Sequence, residues 1–128
     1  MAGTIAGELR TVFRKKIKEI FEDGSIQIQA SCVFDQDFPA FAGHFPGQPI
    51  LPAIVQLAAV RLLCEDQLEK VLHPVGCRRV KFRAMVQPGE PVKVQAKVKA
   101  GDHCQVSFKL KDGKGQLISS GDLDYSTE

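Results

Sequence analysis

The feature that most constrains the fold of this chain is a long apolar segment that directly follows a proline-rich loop. Between residues 51 and 64 the only polar side chains are those of Gln56 and Arg61. This pattern predicts a helix that begins at Pro52 and continues to about Leu72. A helix that is apolar on nearly every side has to be enclosed on every side. The rest of the chain is therefore expected to wrap around it.

Four segments after this helix alternate apolar and polar side chains, which predicts strands with one buried face. Short turns separate them, and the last of these, Asp112-Gly113-Lys114-Gly115, has the composition of a hairpin turn. A fifth strand of the same pattern precedes the proline-rich loop. In chain order the predicted strands cover residues 26–34, 80–86, 92–98, 104–110 and 117–125.

The N-terminal segment has a weaker pattern. Apolar side chains recur at every fourth position from Leu9 to Phe21, with basic residues between them. We predict a half-buried strand over residues 9–21 that pairs with residues 26–34 across an Asp23-Gly24 turn. The same pattern leaves a helical turn within this segment open. Residues 1–7 are predicted to be a loose lead-in.

These elements predict an α+β fold in which an antiparallel sheet wraps around one long central helix. The chain length fits a single domain over residues 1–128. The sheet would cover only one side of the helix, so the other side needs a second cover. A second copy of the chain is the simplest cover, because two-fold dimers are the commonest assemblies. We therefore expect a homodimer, or a tetramer or hexamer built from such dimers.

Composition excludes several functional classes. The formal net charge of +2 is too small to indicate binding to nucleic acid or to an anionic membrane. The sequence contains no apolar run long enough to span a bilayer and no pattern typical of a signal peptide. The four cysteines are scattered without zinc-ligand spacing, which predicts buried, reduced thiols. A cytoplasmic location is expected.

The loop before the helix carries one histidine, His44, among several prolines and glycines. Proline fixes the backbone angle φ and glycine permits unusual backbone shapes, so this composition favours one defined path. Pro52 is predicted at the first helical position. The N–H groups of Ala53 and Ile54 would then lack helical partners and could face a carbonyl oxygen or an anion. The stretch predicts a site for chemistry on a carbonyl compound.

The sequence Gly43-His44-Phe45-Pro46-Gly47-x-Pro49-Ile50-Leu51-Pro52, followed by an apolar helix, resembles the active-site signature of the beta-hydroxyacyl-acyl-carrier-protein dehydratases. The segments 80–83 and 86–90 resemble the strand and the turn that follow in this family. The resemblance covers essentially the whole chain and implies the hotdog fold of the thioester dehydrases. It implies no metal and no bound cofactor.

The resemblance also implies roles for individual residues. His44 corresponds to the general base that removes the α-proton of a beta-hydroxyacyl thioester. The backbone N–H of Ala53 corresponds to the donor that polarises the thioester carbonyl, at a position where the family usually has glycine. The family's second catalytic residue is a Glu or Asp that comes from the other subunit and protonates the departing hydroxyl. It lies fourteen residues after the histidine, and that position is Ala58 here.

The missing acid predicts impaired or redirected dehydration, because loss of a general acid typically costs about 10²- to 10⁴-fold in rate. Four other side chains are candidates to replace this acid. Gln56 points away from Ala58 on an ideal helix, whereas Glu65 lies on the same face about 10 Å further along. Asp35 and Asp37 precede His44 and could fold over it. None of the four is favoured by spacing alone.

Further side chains are candidates for substrate contacts, each with a plainer structural role as the alternative. Phe38, Phe41 and Phe45 either line an acyl channel or belong to the core. Arg78, Arg79, Lys81 and Arg83 either meet phosphates or an acidic carrier protein, or form a solvated strand face. His73 and His103 are expected to be exposed. The predicted substrate-binding set is Phe41, Gly43, Phe45, Pro46, Gly47 and Ile54.

The resemblance thus implies a hydro-lyase that acts on beta-hydroxyacyl thioesters of acyl carrier protein or coenzyme A. Two alternatives remain open at this stage. The chain could be a non-catalytic acyl-binding protein, or a heterodimer subunit that supplies His44 to a partner bearing the acid. It could also be an acyl thioesterase, since the fold hosts hydrolases as well. Nucleic acid and membranes are not expected partners.

Overall fold

The computed structural model describes residues 5–35, 38, 51–101 and 103–127 of the chain. Within these ranges it contains two helices and six strands, and the helices are α1 and α2 in chain order. The elements are α1 (Ile5–Val12), β1 (Arg14–Ile20), β2 (Ile26–Val33), α2 (Ala53–Leu68), β3 (His73–Phe82), β4 (Pro91–Lys99), β5 (His103–Asp112) and β6 (Leu117–Ser126).

The six strands form one antiparallel sheet in the order β1-β2-β4-β5-β6-β3. Its inner face and the sheet-facing side of α2 share one hydrophobic core. The α+β architecture predicted from the sequence is therefore confirmed. α2 is buried along most of its length, but Ile54 near its start is 76% exposed. The side of the helix near Ile54 is the part that the sheet leaves open.

Strands β2, β4, β5 and β6 lie where alternation predicted them. In β4 and β5 every second side chain is buried, and the side chains between them are on the outer face. The β5–β6 connection is the predicted hairpin turn, closed by a 2.9 Å bond from the Asp112 N–H to the Gln116 oxygen. Gly115 adopts a positive φ of 84° there, a conformation that suits glycine.

The N-terminal prediction was wrong in its first half. Residues 5–12 form helix α1, and only residues 14–20 form a strand, which pairs with β2 as expected. Leu9 and Phe13 are buried and lie four residues apart, a spacing that fits a helix as well as a strand. Ile17, predicted to face the core, is exposed. α1 packs on α2, so tertiary contact decided between the two patterns.

The third strand begins earlier than predicted, at His73 rather than at residue 80. β3 lies at the edge of the sheet and is exposed along nearly all of its length, so it shows no alternation. Pro74 lies in this strand, and proline is tolerated there because an edge strand need not donate every hydrogen bond. The predicted strand residues 84–86 follow β3 without belonging to it.

The boundaries of α2 also differ from the prediction. Pro52 is the N-cap residue, with φ −60° and ψ 148°, and the first helical residue is Ala53. The helix ends at Leu68, because Glu69 takes a left-handed conformation with φ 54°. It is not long or apolar enough to cross a membrane, and the same holds for α1, the other helix that the structure describes.

Gly121 does not fray the last strand, contrary to the expectation from sequence. It pairs with Phe108 inside a continuous β6. A Cβ atom at this position would lie 2.7 Å from Val80 Cγ2 and 2.8 Å from Val80 Cα, both on β3. Glycine is needed here because Val80, in the part of β3 where the strand register shifts between Arg78 and Lys81, comes this close to position 121.

Gly121→Ala should therefore lower the free energy of unfolding by about 1–3 kcal/mol, because the new methyl group overlaps backbone as well as side-chain atoms. Ser120→Ala is the matched control on the other face of β6 and should change it by less than about 0.5 kcal/mol. Urea denaturation of both variants measures the difference. Equal stability of the two variants would contradict the close approach.

Candidate active site

The loop that contains His44 connects β2 to α2, and both of its flanks lie at one end of the sheet. We call this end the site end. There the Phe34 oxygen accepts a 2.8 Å bond from the Gly89 N–H, and the Leu51 N–H donates a 2.9 Å bond to the Val86 oxygen. The segment after β3 therefore fixes both flanks. Outside the described residues lie Asp37, Phe41, Gly43, His44, Phe45, Pro46 and Gly47.

The first turn of α2 offers two backbone donors at the site end. The N–H groups of Ala53 and Ile54 have no hydrogen-bond partner among the described residues, whereas those of Val55 and Gln56 both donate to the Pro52 oxygen. Ala53 and Ile54 are also exposed. Free N–H groups at a helix start can bind a carbonyl oxygen or an anion, and the helix dipole favours negative charge there.

Gln56 holds this turn against the sheet and is not available beside Ala58. Its side-chain oxygen accepts a 2.9 Å bond from the Ser119 hydroxyl of β6. Both side chains are buried, so breaking the pair would leave polar groups without water or partners. Gln56 therefore fixes the start of α2 and does not substitute for an acid at position 58.

Ala58 lies in an apolar cleft of about 430 Å³ between α2 and the strands β3 and β6. Ile54, Leu57 and Arg61 line it on the helix side, and Leu123 and Tyr125 line it from β6. Residues 74–77 of β3 complete it. None of these described lining residues is an Asp or Glu.

Glu65, which helical spacing places on the same face as Ala58, has a structural role. It is only 7% exposed, and its Oε2 atom accepts a 2.8 Å bond from the buried N–H of Leu72. Its Oε1 atom accepts a 3.1 Å bond from the Arg10 guanidinium of α1. A carboxylate held by two donors in this way ties α1 and the end of α2 together. It is not free to turn towards Ala58.

Sequence reasoning missed two polar groups in the cleft, on Arg61 and Tyr125. The Arg61 guanidinium lies 3.6 Å from Glu65, which it shares with Arg10. The Tyr125 hydroxyl makes no hydrogen bond to a described residue, and burial raises the pKa of Tyr125 well above its usual range. It therefore stays protonated and can donate a hydrogen bond, although it is a weak acid. The inward position of Tyr125 in the alternation of β6 was the available signal.

The remaining candidate residues either belong to the core or are exposed on the surface. Phe38 belongs to the core, where its ring packs edge-on against Phe34 with centroids 5.1 Å apart. Asp35 is exposed next to the described end of β2. His73 and His103 are exposed, as predicted. These residues give the cleft no further acid or base.

The cysteines do not form a nucleophilic centre. Burial raises the pKa of the Cys32 and Cys64 thiols to about 12, so neither is a thiolate near neutral pH. Cys77 is exposed on β3, which corrects the prediction that all four thiols are buried. Among the described residues, no three His, Cys, Asp or Glu side chains are grouped to hold a metal ion.

A family model for ApeI-like proteins, described as ApeI dehydratase, matches residues 19–122. This range includes the site loop, α2 and most of the sheet. The chain belongs to the ApeI-like dehydratase family. A curated relative, the 3-hydroxyacyl-acyl-carrier-protein dehydratase FabZ of Acetivibrio thermocellus, is 34% identical over 97 residues, which cover 70% of this chain. The matched part is 62% of that relative, so the chain spans less than two thirds of its length.

Solved structures agree with the family. An uncharacterised protein from Erwinia carotovora subsp. atroseptica has a TM-score of 0.76 at 24% identity, over 91% of this chain and 95% of that one. The dehydratase heterocomplex ApeI:P from Xenorhabdus doucetiae has a TM-score of 0.67 at 22% identity, over 88% of this chain and 99% of that one. These likenesses establish the hotdog fold for this member of the ApeI-like family.

The structural role of Glu65 leads to a stability prediction. Glu65→Ala should lower the free energy of unfolding by about 2–3 kcal/mol, because the Leu72 N–H would remain buried without an acceptor. Asp66→Ala, one residue later, removes a carboxylate that pairs with Lys16 between two exposed side chains. It should cost less than about 1 kcal/mol. Urea denaturation measures both, and equal losses would contradict the anchoring role of Glu65.

Proposed function

We propose that this chain forms one half of a dehydratase site that removes water from a beta-hydroxyacyl thioester. The observation that carries the proposal is a helix start whose first two N–H groups have no partner among the described residues, next to a cleft whose described lining contains no carboxylate. The ApeI-like family match and the His44 motif supply the reaction class. Acyl carrier protein or coenzyme A would carry the acyl group.

The proposed chemistry divides between this chain and a partner. The His44 imidazole takes the α-proton of the thioester, and the electron pair of that C–H bond moves towards the carbonyl oxygen. The Ala53 N–H donates a hydrogen bond to this oxygen as negative charge develops on it. The electrons then form the new C=C bond while the β C–O bond breaks. The leaving hydroxyl needs a proton from an acid to depart as water.

We assign the acid to a chain of different sequence, because every copy of this chain has alanine at position 58. This extends the sequence-based expectation of a homodimer to a heterodimer in which the partner supplies the carboxylate. The heterocomplex of the Xenorhabdus doucetiae relative is consistent with such an arrangement. A matching surface is available on this chain, since β3 is paired only on the side of β6 within the described sheet.

Exposed apolar side chains on and beside β3 and at the start of α2 support this partner surface. Ile54 at the start of α2, Val71 before β3, Val75 within it, and Phe82 and Met85 at and beyond its end are all exposed. Large apolar side chains that are exposed together mark interaction sites. A partner seated against β3 would also cover the cleft that contains Ala58.

A second function is favoured by the cleft itself. An apolar cavity with two hydrogen-bond donors and no acid can bind an acyl thioester without turning it over. In that case the chain would be an acyl-binding subunit. The assay below separates the two functions.

The purified chain should dehydrate 3-hydroxyacyl thioesters very slowly on its own, and Ala58→Glu should raise the rate by about 10²-fold or more by restoring the acid. The added activity should disappear when His44→Ala is combined with it. Ile54→Glu is the control, because it introduces a carboxylate one turn earlier in the same cleft. The enoyl chromophore reports the rate.

No gain from Ala58→Glu in a folded protein would contradict the proposed site. Saturable binding of the thioester without turnover in any variant would favour the acyl-binding function. Equal gains from Ala58→Glu and Ile54→Glu would show that the position of the acid is not the limiting feature.

A further inference from the structure

The cleft that contains Ala58 follows the axis of α2. It begins beside Ile54, in the first turn of the helix at the site end, and it reaches Arg61 on the same helix. These two residues are separated by about 10 Å along an ideal helix. Between them the described lining from α2 and β6 consists of apolar side chains, among them Leu57 and Leu123. The cleft is therefore long enough to hold a chain that starts at the site end and extends along α2.

The register of the strands places Tyr125 at the far end of this cleft. Ser119 of β6 bonds Gln56 in the first turn of α2, which puts the beginning of β6 at the site end. Tyr125 follows later in the same strand, about 20 Å further along at the usual rise per residue. It pairs with Pro74 near the start of β3, and both residues line the cleft together with Arg61. The polar side chains Tyr125 and Arg61 therefore share the end that is remote from the start of α2.

The hydroxyl group of Tyr125 borders the space of the cleft. The residue is only 4% exposed, and its hydroxyl makes no hydrogen bond to a described residue. Among the described residues, every side-chain nitrogen or oxygen atom that is shut off from solvent has a hydrogen-bond partner. The Tyr125 oxygen is therefore not shut off, and the cleft that the residue lines is the space through which water reaches it.

A donor in this position distinguishes between ligands. The Tyr125 hydroxyl is protonated near neutral pH and can donate a hydrogen bond. An apolar chain that filled the cleft to this depth would displace the water from the hydroxyl and leave the donor unpaired, which costs free energy. A chain with an oxygen atom at the same depth would accept the hydrogen bond and avoid this cost. The hydroxyl therefore favours a ligand that has an acceptor at its tail.

Arg61 does not turn this end of the cleft into a site for an anion. Its guanidinium lies 3.6 Å from the Oε2 atom of Glu65, so a carboxylate of the chain already pairs with it. The other described lining residues at this end, such as Pro74 and Val75, are apolar. An anionic tail would have to give up its water in these surroundings, and that cost is much larger for a charge than for a neutral oxygen. A neutral acceptor fits the described lining better.

We propose that Tyr125 is a specificity-determining residue, through which the cleft selects acyl groups that carry a neutral oxygen at the tail, such as a hydroxyl or a carbonyl. This rests on the proposed function, in which the start of α2 holds the thioester carbonyl at the other end of the cleft. The cleft volume of about 430 Å³ lies within the usual range of small-molecule sites. An apolar cleft with a single neutral donor at its end is also typical of such sites, because the donor fixes the orientation of the ligand.

Binding of matched acyl-pantetheine thioesters tests the proposal without any turnover. Calorimetric titration compares saturated acyl chains of increasing length with their ω-hydroxy counterparts. At the length that reaches Tyr125, the ω-hydroxy chain should bind about fivefold more tightly than the alkyl chain. Tyr125→Phe removes the donor and keeps the ring, so this preference should fall below about twofold. Tyr125 is the one tyrosine of the sequence, and no tryptophan is present, so its fluorescence in the wild-type chain should respond when a tail reaches it.

Cys77→Ala is the matched control, because it changes another residue of the cleft lining and leaves the Tyr125 hydroxyl in place. It should retain the preference of the wild-type chain. Should Tyr125→Phe fail to fold, the wild-type preference and the tyrosine fluorescence still decide.

Four results would overturn the proposal. They are equal affinity of the wild-type chain for the two kinds of tail, a preference that persists in folded Tyr125→Phe, a preference that is lost equally in Cys77→Ala, and tightest binding of an ω-carboxylate tail that depends on Arg61. Failure of the proposed function is distinguishable from these results, because it appears as absent dehydration by Ala58→Glu protein. Tail selection without dehydration would leave this proposal standing, and dehydration without tail selection would overturn it alone.

Discussion

The structure depends on the enclosure of α2 by a sheet that is apolar on its inner face. A helix with apolar side chains on nearly every side is stable in water only when other elements remove those side chains from solvent. The sheet covers one side, α1 covers part of the remainder, and the side near Ile54 and Ala58 stays open. Two polar anchors fix the helix in this enclosure, Gln56 against Ser119 at its start and Glu65 against Leu72 and Arg10 at its end.

These anchors explain how the described part of the candidate site is organised. The first anchor fixes the N–H groups of Ala53 and Ile54, which have no partner among the described residues, at the end of the sheet that also holds Phe34 and Leu51. The second engages the only acid of α2 that shares a face with Ala58, and that acid is buried. The described lining of the cleft is apolar apart from Arg61 and Tyr125. We therefore assign the acid of the proposed reaction to another chain.

The sequence predicted most accurately the strands that have one buried face and one solvent-exposed face. β4, β5 and β6 alternate because one face is buried and the other is solvated, and their positions were read correctly. Residues 9–13 were misread because the four-residue spacing of Leu9 and Phe13 fits both a helix and a strand. β3 was read too short because an exposed edge strand has no alternation, and because Pro74 and Gly76 suggested a break.

The candidate site, too, was predicted only in part from the sequence. The family motif and the alanine at position 58 are visible in the sequence, and helical spacing correctly placed Glu65 on the same face. Spacing does not reveal the partner of a carboxylate, and only the fold brings Arg10 and the Leu72 N–H to Glu65.

Complementation between two variants of this chain tests the central claim most directly, namely that base and acid act from different subunits. The wild-type chain supplies His44 without an acid, and the double variant His44→Ala, Ala58→Glu supplies an acid without the base. Each should be nearly inactive alone. When the two are unfolded together and refolded, the mixture should dehydrate 3-hydroxyacyl thioesters, because mixed pairs combine one base with one acid. A mixture as inactive as its components, while the Ala58→Glu single variant is active, would contradict the account.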